Sequence, residues 1–279
     1  RGTPLAPVGG MKRISLCLIA RDEEAMLPGC LASVRGAVDE IVLVDTGSRD
    51  RTRDIARDAG AKVLERPWDD DFAAPRNLAL AEASGEWVLQ LDADERLAPG
   101  SGGALRAALR RPRFDLGLVW LHNASREDAP AAEVLSGALR FGAPARLPRV
   151  MRRTPDLRWE GIVHESVAEW AAAQGRRQAV LDVHVVHLGY LPGVHLSRDK
   201  RQRNLALLRR RAALEPESVV PLAYLAAELL AAGDAEGAAR LADLRAMPRG
   251  PCAPVRATPS AAMPGVPRKC RRHRRRPRR

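Results

Sequence analysis

The sequence predicts an α/β protein with a mostly parallel central sheet, on two observations. Strand-like apolar runs recur at regular spacing through residues 1–100, and amphipathic helical patterns separate them. The first run, ISLCLIA at residues 14–20, is followed by EIVLVD at 40–45, AKVLER at 61–66 and EWVLQLD at 86–92. Two of these are nearly unbroken apolar stretches, as expected of strands covered on both faces. Between the first two, Met26, Leu27, Cys30, Leu31 and Val34 share one helical face after an acidic first turn, Asp22-Glu23-Glu24. A second helix begins around residues 48–50, carries Ile55, Ala56 and Ala59, and stops at Gly60 as a C′ glycine. A third runs from about Pro75 to Ala83.

The fourth strand poses a question of charge. EWVLQLDADE ends in Asp92, Asp94 and Glu95, and in an extended chain Asp92 and Asp94 face the same side. Two like charges side by side need a cation or hydrogen-bond donors to compensate them. In parallel sheets ligands bind beyond the carboxyl ends of the strands. That edge collects ARDEE (residues 20–24), DTGSRD (45–50) and DADE (92–95), so the charge sits where a ligand would sit.

Residues 101–190 are less regular, with strand-like LGLVWLH and QAVLDVHVVHLGY flanking RWEGIVHESV. From about residue 197 to 246 the pattern is helical, with a Gly233-Asp234 turn, and resembles one tetratricopeptide repeat. Basicity does not indicate a nucleic-acid protein. Eleven of the 46 Lys and Arg fall in residues 248–279, which hold no Asp or Glu, so residues 1–247 carry 35 basic against 34 acidic side chains. That segment also has seven prolines and no apolar periodicity, and reads as a disordered tail. Its abrupt onset within a helical pattern fits a shifted reading frame; a basic tail for nucleic acid or anionic lipid is the alternative. Residues 1–10 read as a disordered leader before Met11.

No apolar run reaches the roughly 18 residues needed to span a bilayer, and the N-terminus lacks a secretion-signal pattern. Cys17 and Cys30 sit in apolar patterns and no CxxC spacing occurs, which fits a reducing cytoplasm. No G-x-G-x-x-G follows the first strand, and ARDEE would set negative charge against a pyrophosphate, which counts against a dinucleotide-dependent dehydrogenase.

The stretches ISLCLIARDEEAMLPGCLASV, VDEIVLVDTGSRDRTRDIA, DFAAPRNLALAEASGEWVLQLDADERL, WEGIVHESV and HLGY, in that order, resemble glycosyltransferase family 2, inverting enzymes of the GT-A fold. The later helices resemble the tetratricopeptide-like extension of a bacterial subgroup. The resemblance implies a GT-A domain over residues 11–195, a helical segment over 196–247 and a tail over 248–279. It also implies a nucleotide-sugar donor, most simply a UDP-sugar, with Mg²⁺ or Mn²⁺ neutralising the diphosphate leaving group. DADE then corresponds to the DXD motif, with Asp94 a direct metal ligand and Asp92 near the ribose or a metal-bound water. Asp45 would accept a hydrogen bond from the base, Ala20 and Glu23 would line the nucleotide pocket, and Arg76 would meet phosphate charge. Pro75 departs from the residue expected there, yet is tolerated in a first helical turn. Glu165 matches the position of the base that deprotonates the acceptor, and His164 or His187 could bind the metal or a phosphate. His122, His184 and His195 read as structural.

The bland readings are specific too. Asp45 could cap the following helix, Glu23 could complement a helix dipole, Arg76 could form a surface ion pair, and Glu165 could lie with His164 as an exposed pair in an ordinary loop. The expected partners are a nucleotide-sugar and a glycan, lipid-linked or peptide acceptor. The expected location is cytoplasmic, at most in peripheral contact with the inner membrane face. The competing function is a non-catalytic scaffold whose helical segment recruits a protein partner.

Overall fold

The computed structural model describes residues 13–173, 175–189, 198–231, 233–237 and 239, with backbone alone for 198–201. The expected leader (1–10) and basic tail (248–279) lie outside these residues, as does His195. The chain begins β1 (Ile14–Ala20), α1 (Leu27–Ser33), β2 (Glu40–Asp45), α2 (Thr52–Asp58), β3 (Lys62–Glu65), α3 (Ala73–Glu82) and β4 (Trp87–Gln90). It continues through β5 (Glu95–Leu97), α4 (Ser101–Ala108), β6 (Leu116–Ala124), α5 (Ala131–Ser136), β7 (Arg140–Arg152), α6 (Ala168–Ala173) and β8 (Gln178–His187). Two longer helices follow, α7 (Arg198–Leu214) and α8 (Val220–Ala231).

One sheet runs in the order β3-β2-β1-β4-β7-β6-β8-β5. Its first four strands are parallel, with Ala20 opposite Asp45 at the ends of β1 and β2. Alternation explains their apolar composition. Ile14, Leu16 and Leu18 of β1 pack in one cluster with Leu27, Cys30 and Leu31 of α1 and Leu105 of α4. Cys17 faces the other way, toward Ala79 and Leu80 of α3 and Trp170 of α6. Both faces are covered, so neither can be polar.

The second half of the sheet is mixed. β7 is antiparallel to β4 and β6, β8 is parallel to β6, and β5 is antiparallel to β8. β4 and β5 stand four strand steps apart in the sheet order, roughly 19 Å at the usual strand spacing. Yet only residues 91–94 join them, and a tight turn shortens that link further, so the β7-β6-β8 half must curl back over the tip of β4. The curl brings strands distant in sequence around Asp92–Glu95.

One expected local feature is corrected. Asp22, Glu23 and Glu24 are not the first turn of α1, which starts at Leu27 with Pro28 in its opening turn and no acidic residue there. Instead the segment stays irregular, with Asp22 at φ +55°, and laces to the 48–52 loop. The backbone N–H groups of Asp22, Glu23 and Glu24 donate to Ser48, Thr52 and Asp50, while Asp22 and Glu24 accept from the N–H groups of Arg49 and Arg51. These local side-chain acceptors compete successfully with a helical first turn. Beyond β8, α7 and α8 pack against each other, and Leu207, Leu208 and Leu225 join Val163 in a separate apolar cluster. Among the described residues no helix is long and apolar enough to cross a membrane.

Candidate active site

The strand tips of the parallel half lie along one sheet edge, which includes the turn after β4. There the chain reverses: Glu95 N–H donates to the Asp92 carbonyl at 3.0 Å, and Asp92 N–H donates to Glu95 Oε2 at 3.1 Å. The reversal separates the two aspartates, which an extended chain would have kept on one face. Asp92 Oδ1 accepts from Arg76 Nη2 at 2.9 Å, and its Oδ2 accepts from Arg149 Nη2 at 3.3 Å. Arg149 also donates to Glu95, and Arg76 Nε donates to Glu165 Oε1. Three carboxylates and two guanidiniums thus form one continuous lattice, closed by side chains from α3, the β4–β5 turn, β7 and the 160–166 loop.

Its members are mostly inaccessible: the side chains of Glu95, Arg76, Glu165 and Arg149 are 1, 7, 10 and 11% exposed, against 35% for Asp92. Burial disfavours a charged Asp92, but Arg76 and Arg149 outweigh it and hold the carboxyl well below the ordinary carboxylate range. Burial likewise works against the Arg76 cation, yet Asp92 and Glu165 keep its affinity for the proton above normal. Burial lifts the Glu95 carboxyl above its usual range, Arg149 opposing and the Asp92 charge adding to the effect. Isolated charges would not survive at this depth; pairing makes them tenable.

Asp94 stands apart from this lattice and meets His187 of β8, Oδ2 to Nε2 at 3.5 Å. The His187 Nδ1 lies 2.8 Å from Asn123 Oδ1, so Nδ1 carries the hydrogen and Nε2 directs its lone pair at Asp94. Without a proton on Nε2, two electron-rich atoms face each other across this contact. Burial opposes a charged ring, but the Asp94 hydrogen bond and the neighbouring carboxylates raise the His187 titration above an ordinary histidine. Leu188 N–H also donates to the Asp94 carbonyl at 3.0 Å, and Gly189 leaves room for the carboxylate: a Cβ there would come within 2.0 Å of Asp94 Oδ2.

Asp45 lies on the same sheet edge but is only 1% exposed. Its Oδ1 accepts from the N–H groups of Gly47 at 3.1 Å and Ser48 at 3.0 Å, and its Oδ2 from the Ser48 hydroxyl. It therefore caps the turn after β2, and any contact with a base must share that carboxylate. Ala20 is buried, its carbonyl accepting from Thr46 N–H at 2.9 Å, and Glu23 is half-buried beside it. His164 is not with Asp94. The ring stacks on Tyr224 of α8, centroids 3.9 Å apart and 3° from parallel, and His187 takes the place beside Asp94 instead. The cause is the backbone: His164 is left-handed at φ +49°, and its carbonyl accepts from Arg211 of α7.

Arg149 and Asn123 escaped the sequence reading, and Glu95 was given no role of its own in the acidic tip. Arg149 lies in a strand buried only at its C-terminal part, and nothing in PARLPRVMR separates it from the neighbouring arginines. A missed signal existed for Glu95, the only carboxylate of DADE fully inside, since it begins a strand.

Residues 15–164 match the family model described as glycosyl transferase family 2. The chain belongs to this family. A TPR repeat-containing protein of Synechococcus elongatus is 37% identical over 242 residues, 82% of this chain and 55% of that protein. An uncharacterized glycosyltransferase of Rickettsia typhi is 39% identical over 88 residues, 32% of this chain and 30% of its own length. The chain thus spans about half or less of these relatives. Among solved structures, S. aureus TarS in complex with UDP-GlcNAc superimposes with a TM-score of 0.50 at 17% identity, over 78% of this chain and 71% of that one, a likeness of fold. The mixed sheet of this family-2 chain thereby matches the GT-A architecture.

Proposed function

We propose that this chain transfers a sugar from a nucleotide-sugar donor to an acceptor hydroxyl with inversion at the anomeric carbon. The observation that carries the reading is the Asp94–His187 pair beside the buried Arg76-Asp92-Arg149-Glu95-Glu165 lattice, at the carboxyl ends of parallel strands. A UDP-sugar is the donor class suggested by the UDP-GlcNAc complex of TarS. The acceptor would be a glycan, a lipid-linked sugar or a peptide of the cell envelope.

The residues fit a divalent cation. Asp94 Oδ2 and His187 Nε2 are two lone-pair donors close enough to share one ion, with Asn123 fixing the imidazole. Among the described residues no cluster of three or more His, Cys, Asp or Glu is placed to hold a metal, so diphosphate oxygens and water would complete the coordination. When bound, such an ion stabilises the charge that develops on the diphosphate leaving group. Among the described residues Arg76 Nη1 has no hydrogen-bond partner, and it would donate to a phosphate oxygen.

In the transfer, the acceptor oxygen attacks the anomeric carbon and the bond from that carbon to the diphosphate oxygen breaks. The electron pair leaves with the nucleoside diphosphate. Arg76 engages Oε1 of Glu165, and Oε2 takes the proton from the acceptor hydroxyl. Glu165 lies one residue beyond the span matched to the family, so its role rests on this geometry. The helical segment, with α8 leading into the Gly233-Asp234 turn, would be tetratricopeptide-like.

The test is a thermal-shift screen of nucleoside diphosphates with and without Mn²⁺, followed by donor hydrolysis. The expected result is a Mn²⁺-dependent rise in Tm with UDP. Asp94→Ala should abolish that rise and lower hydrolysis by about 10³-fold, roughly 4 kcal/mol in the barrier. Undiminished hydrolysis in Asp94→Ala would overturn the assignment.

A further inference from the structure

We propose that the helical segment is part of the catalytic unit, with Arg211 of α7 a positioning residue that fixes the 160–166 loop and through it Glu165. The proposal rests on the transferase reading above and adds to it a role for residues beyond the matched family span.

The loop is closed at its neck. Glu160 and Ser166 exchange both backbone hydrogen bonds, each 2.9 Å, which leaves residues 161–165 as a crown with no regular structure of its own. On one side α3 holds the entry to this crown. Asn77 donates to the Trp159 carbonyl at 2.9 Å and accepts from Trp159 N–H at 2.7 Å, while the Arg76 guanidinium lies 5.2 Å from the Trp159 ring centroid. On the other side the crown belongs to the helical segment.

Arg211 makes that attachment. Its side chain is 7% exposed, and Nη1 donates to the carbonyls of Val163 at 2.6 Å and His164 at 3.0 Å. Two successive carbonyls can converge on one donor because His164 is left-handed. Nε of the same guanidinium donates to Glu215 Oε1 at 2.9 Å, so the charge is paired as well as buried. Gly161, at φ +92°, makes room for it: a Cβ there would stand 2.2 Å from Arg211 Cζ. Tyr224 stacks on the His164 ring, and Leu207, Leu208 and Leu225 close over Val163, Ile162, Trp68 and Phe72. Phe72 N–H donates to the Ile162 carbonyl at 2.9 Å, tying the segment that leads into α3 to the same crown.

The two residues that meet in the Arg76–Glu165 ion pair therefore sit on segments braced against one helical hairpin. A backbone crown that carries a single reacting carboxylate has little internal stiffness, and a displacement of about 1 Å there costs on the order of 10²-fold in rate. Donor binding draws also on the β4–β5 turn and β8, which carry Asp94 and His187. Arg211 should thus govern turnover more than donor affinity.

The experiment uses all 279 residues and compares wild type with Arg211→Ala and Arg211→Lys. Hydrogen exchange of backbone amides and UDP-sugar hydrolysis with Mn²⁺ are measured on each. In Arg211→Ala the Glu160, Ser166 and Phe72 amides should exchange faster while the β1 amides keep wild-type protection. The kcat should fall by about 30–100-fold, with KM for the donor changed less than about threefold. Lysine, which can still donate to one carbonyl, should recover part of kcat. Unchanged exchange in the loop, a rise spread equally over β1, or a loosened loop with wild-type kcat would each overturn the proposal. If Arg211→Ala does not fold, Tyr224→Ala removes the His164 contact from a ring that is 43% exposed, and the same readouts decide. A wild-type chain that neither binds nor hydrolyses any nucleotide-sugar sinks the transferase reading, whereas a rigid loop in Arg211→Ala sinks this one.

Discussion

The parallel half of the sheet and the half that curls over it contribute to the site in different ways. β1, β2 and β4 are buried almost throughout, and they deliver residues to the crevice only where each strand ends. β7 is exposed or half-buried along most of its thirteen residues and buried only at Arg149, Val150 and Met151, where it pairs with β4. The first half supplies acidic tips by chain direction alone. The second supplies what makes them tenable: Arg149 for Asp92 and Glu95, and His187 with Asn123 for Asp94. Negative charge at a strand tip is thus a local feature whose compensation is entirely non-local.

The sharpest way to break this division is to remove the compensation. Arg149→Met should cost about 3–5 kcal/mol of stability, because it leaves Glu95 buried without a cation. Chemical denaturation would show it, and the double variant with Glu95→Gln should regain much of the loss. Equal stability of wild type and Arg149→Met would mean that the curled half does not support the turn.

A smaller and more local effect is expected at Gly189. A methyl group there meets the Asp94 carboxylate, so Gly189→Ala should displace it at a cost of about 1–3 kcal/mol. The nucleotide- and Mn²⁺-dependent Tm rise should shrink while the unliganded Tm changes by only a few degrees. A full rise in Gly189→Ala would separate Asp94 from donor binding.

The mildest test concerns the pair His122–His184, which joins β6 to β8 behind His187. Their rings meet at 2.9 Å, Nε2 to Nδ1, with Asp182 at the far nitrogen of His184 and Arg140 3.3 Å from His122 Nδ1. Burial, then His184 and Arg140, push the His122 titration down to about 4. The unfolded chain therefore takes up this proton first as pH falls. The contribution of a neutral His122 is complete above about pH 6.5 and is lost progressively between there and pH 4. After allowance for solvent screening it should amount to about 1 kcal/mol. Denaturation midpoints from pH 7.5 to 4.5 should fall more steeply for wild type than for His122→Gln; parallel curves would contradict it.

The strands and helices of residues 14–90 were legible because each obeys a short-range period, 2 or 3.6, set by burial against neighbours on both faces. Asp92, Asp94, Arg76 and Glu165 were legible as residue types at the right edge, and the structure brings three of them into one lattice. The partner of Asp94 was not, since His164 and His187 are equivalent in one dimension. Nor was the acidic first turn of α1: Asp22-Glu23-Glu24 has helix-start composition, but side chains of the 48–52 loop capture its amides. Arg149 gave no signal because β7 takes its meaning from the strand it pairs with.

By itself the sequence determined the α/β class, the direction of the parallel strands and the acidic edge. All of these follow from apolar period and charge at contiguous positions. Only the tertiary structure decided which cation neutralises which carboxylate, which histidine faces Asp94, and that α7 holds the loop bearing Glu165. Those outcomes depend on contacts between residues some 16–90 positions apart, made under the low dielectric of a closed interior. There an unpaired charge is costly enough to select one arrangement, and a contiguous stretch of sequence carries no record of that choice.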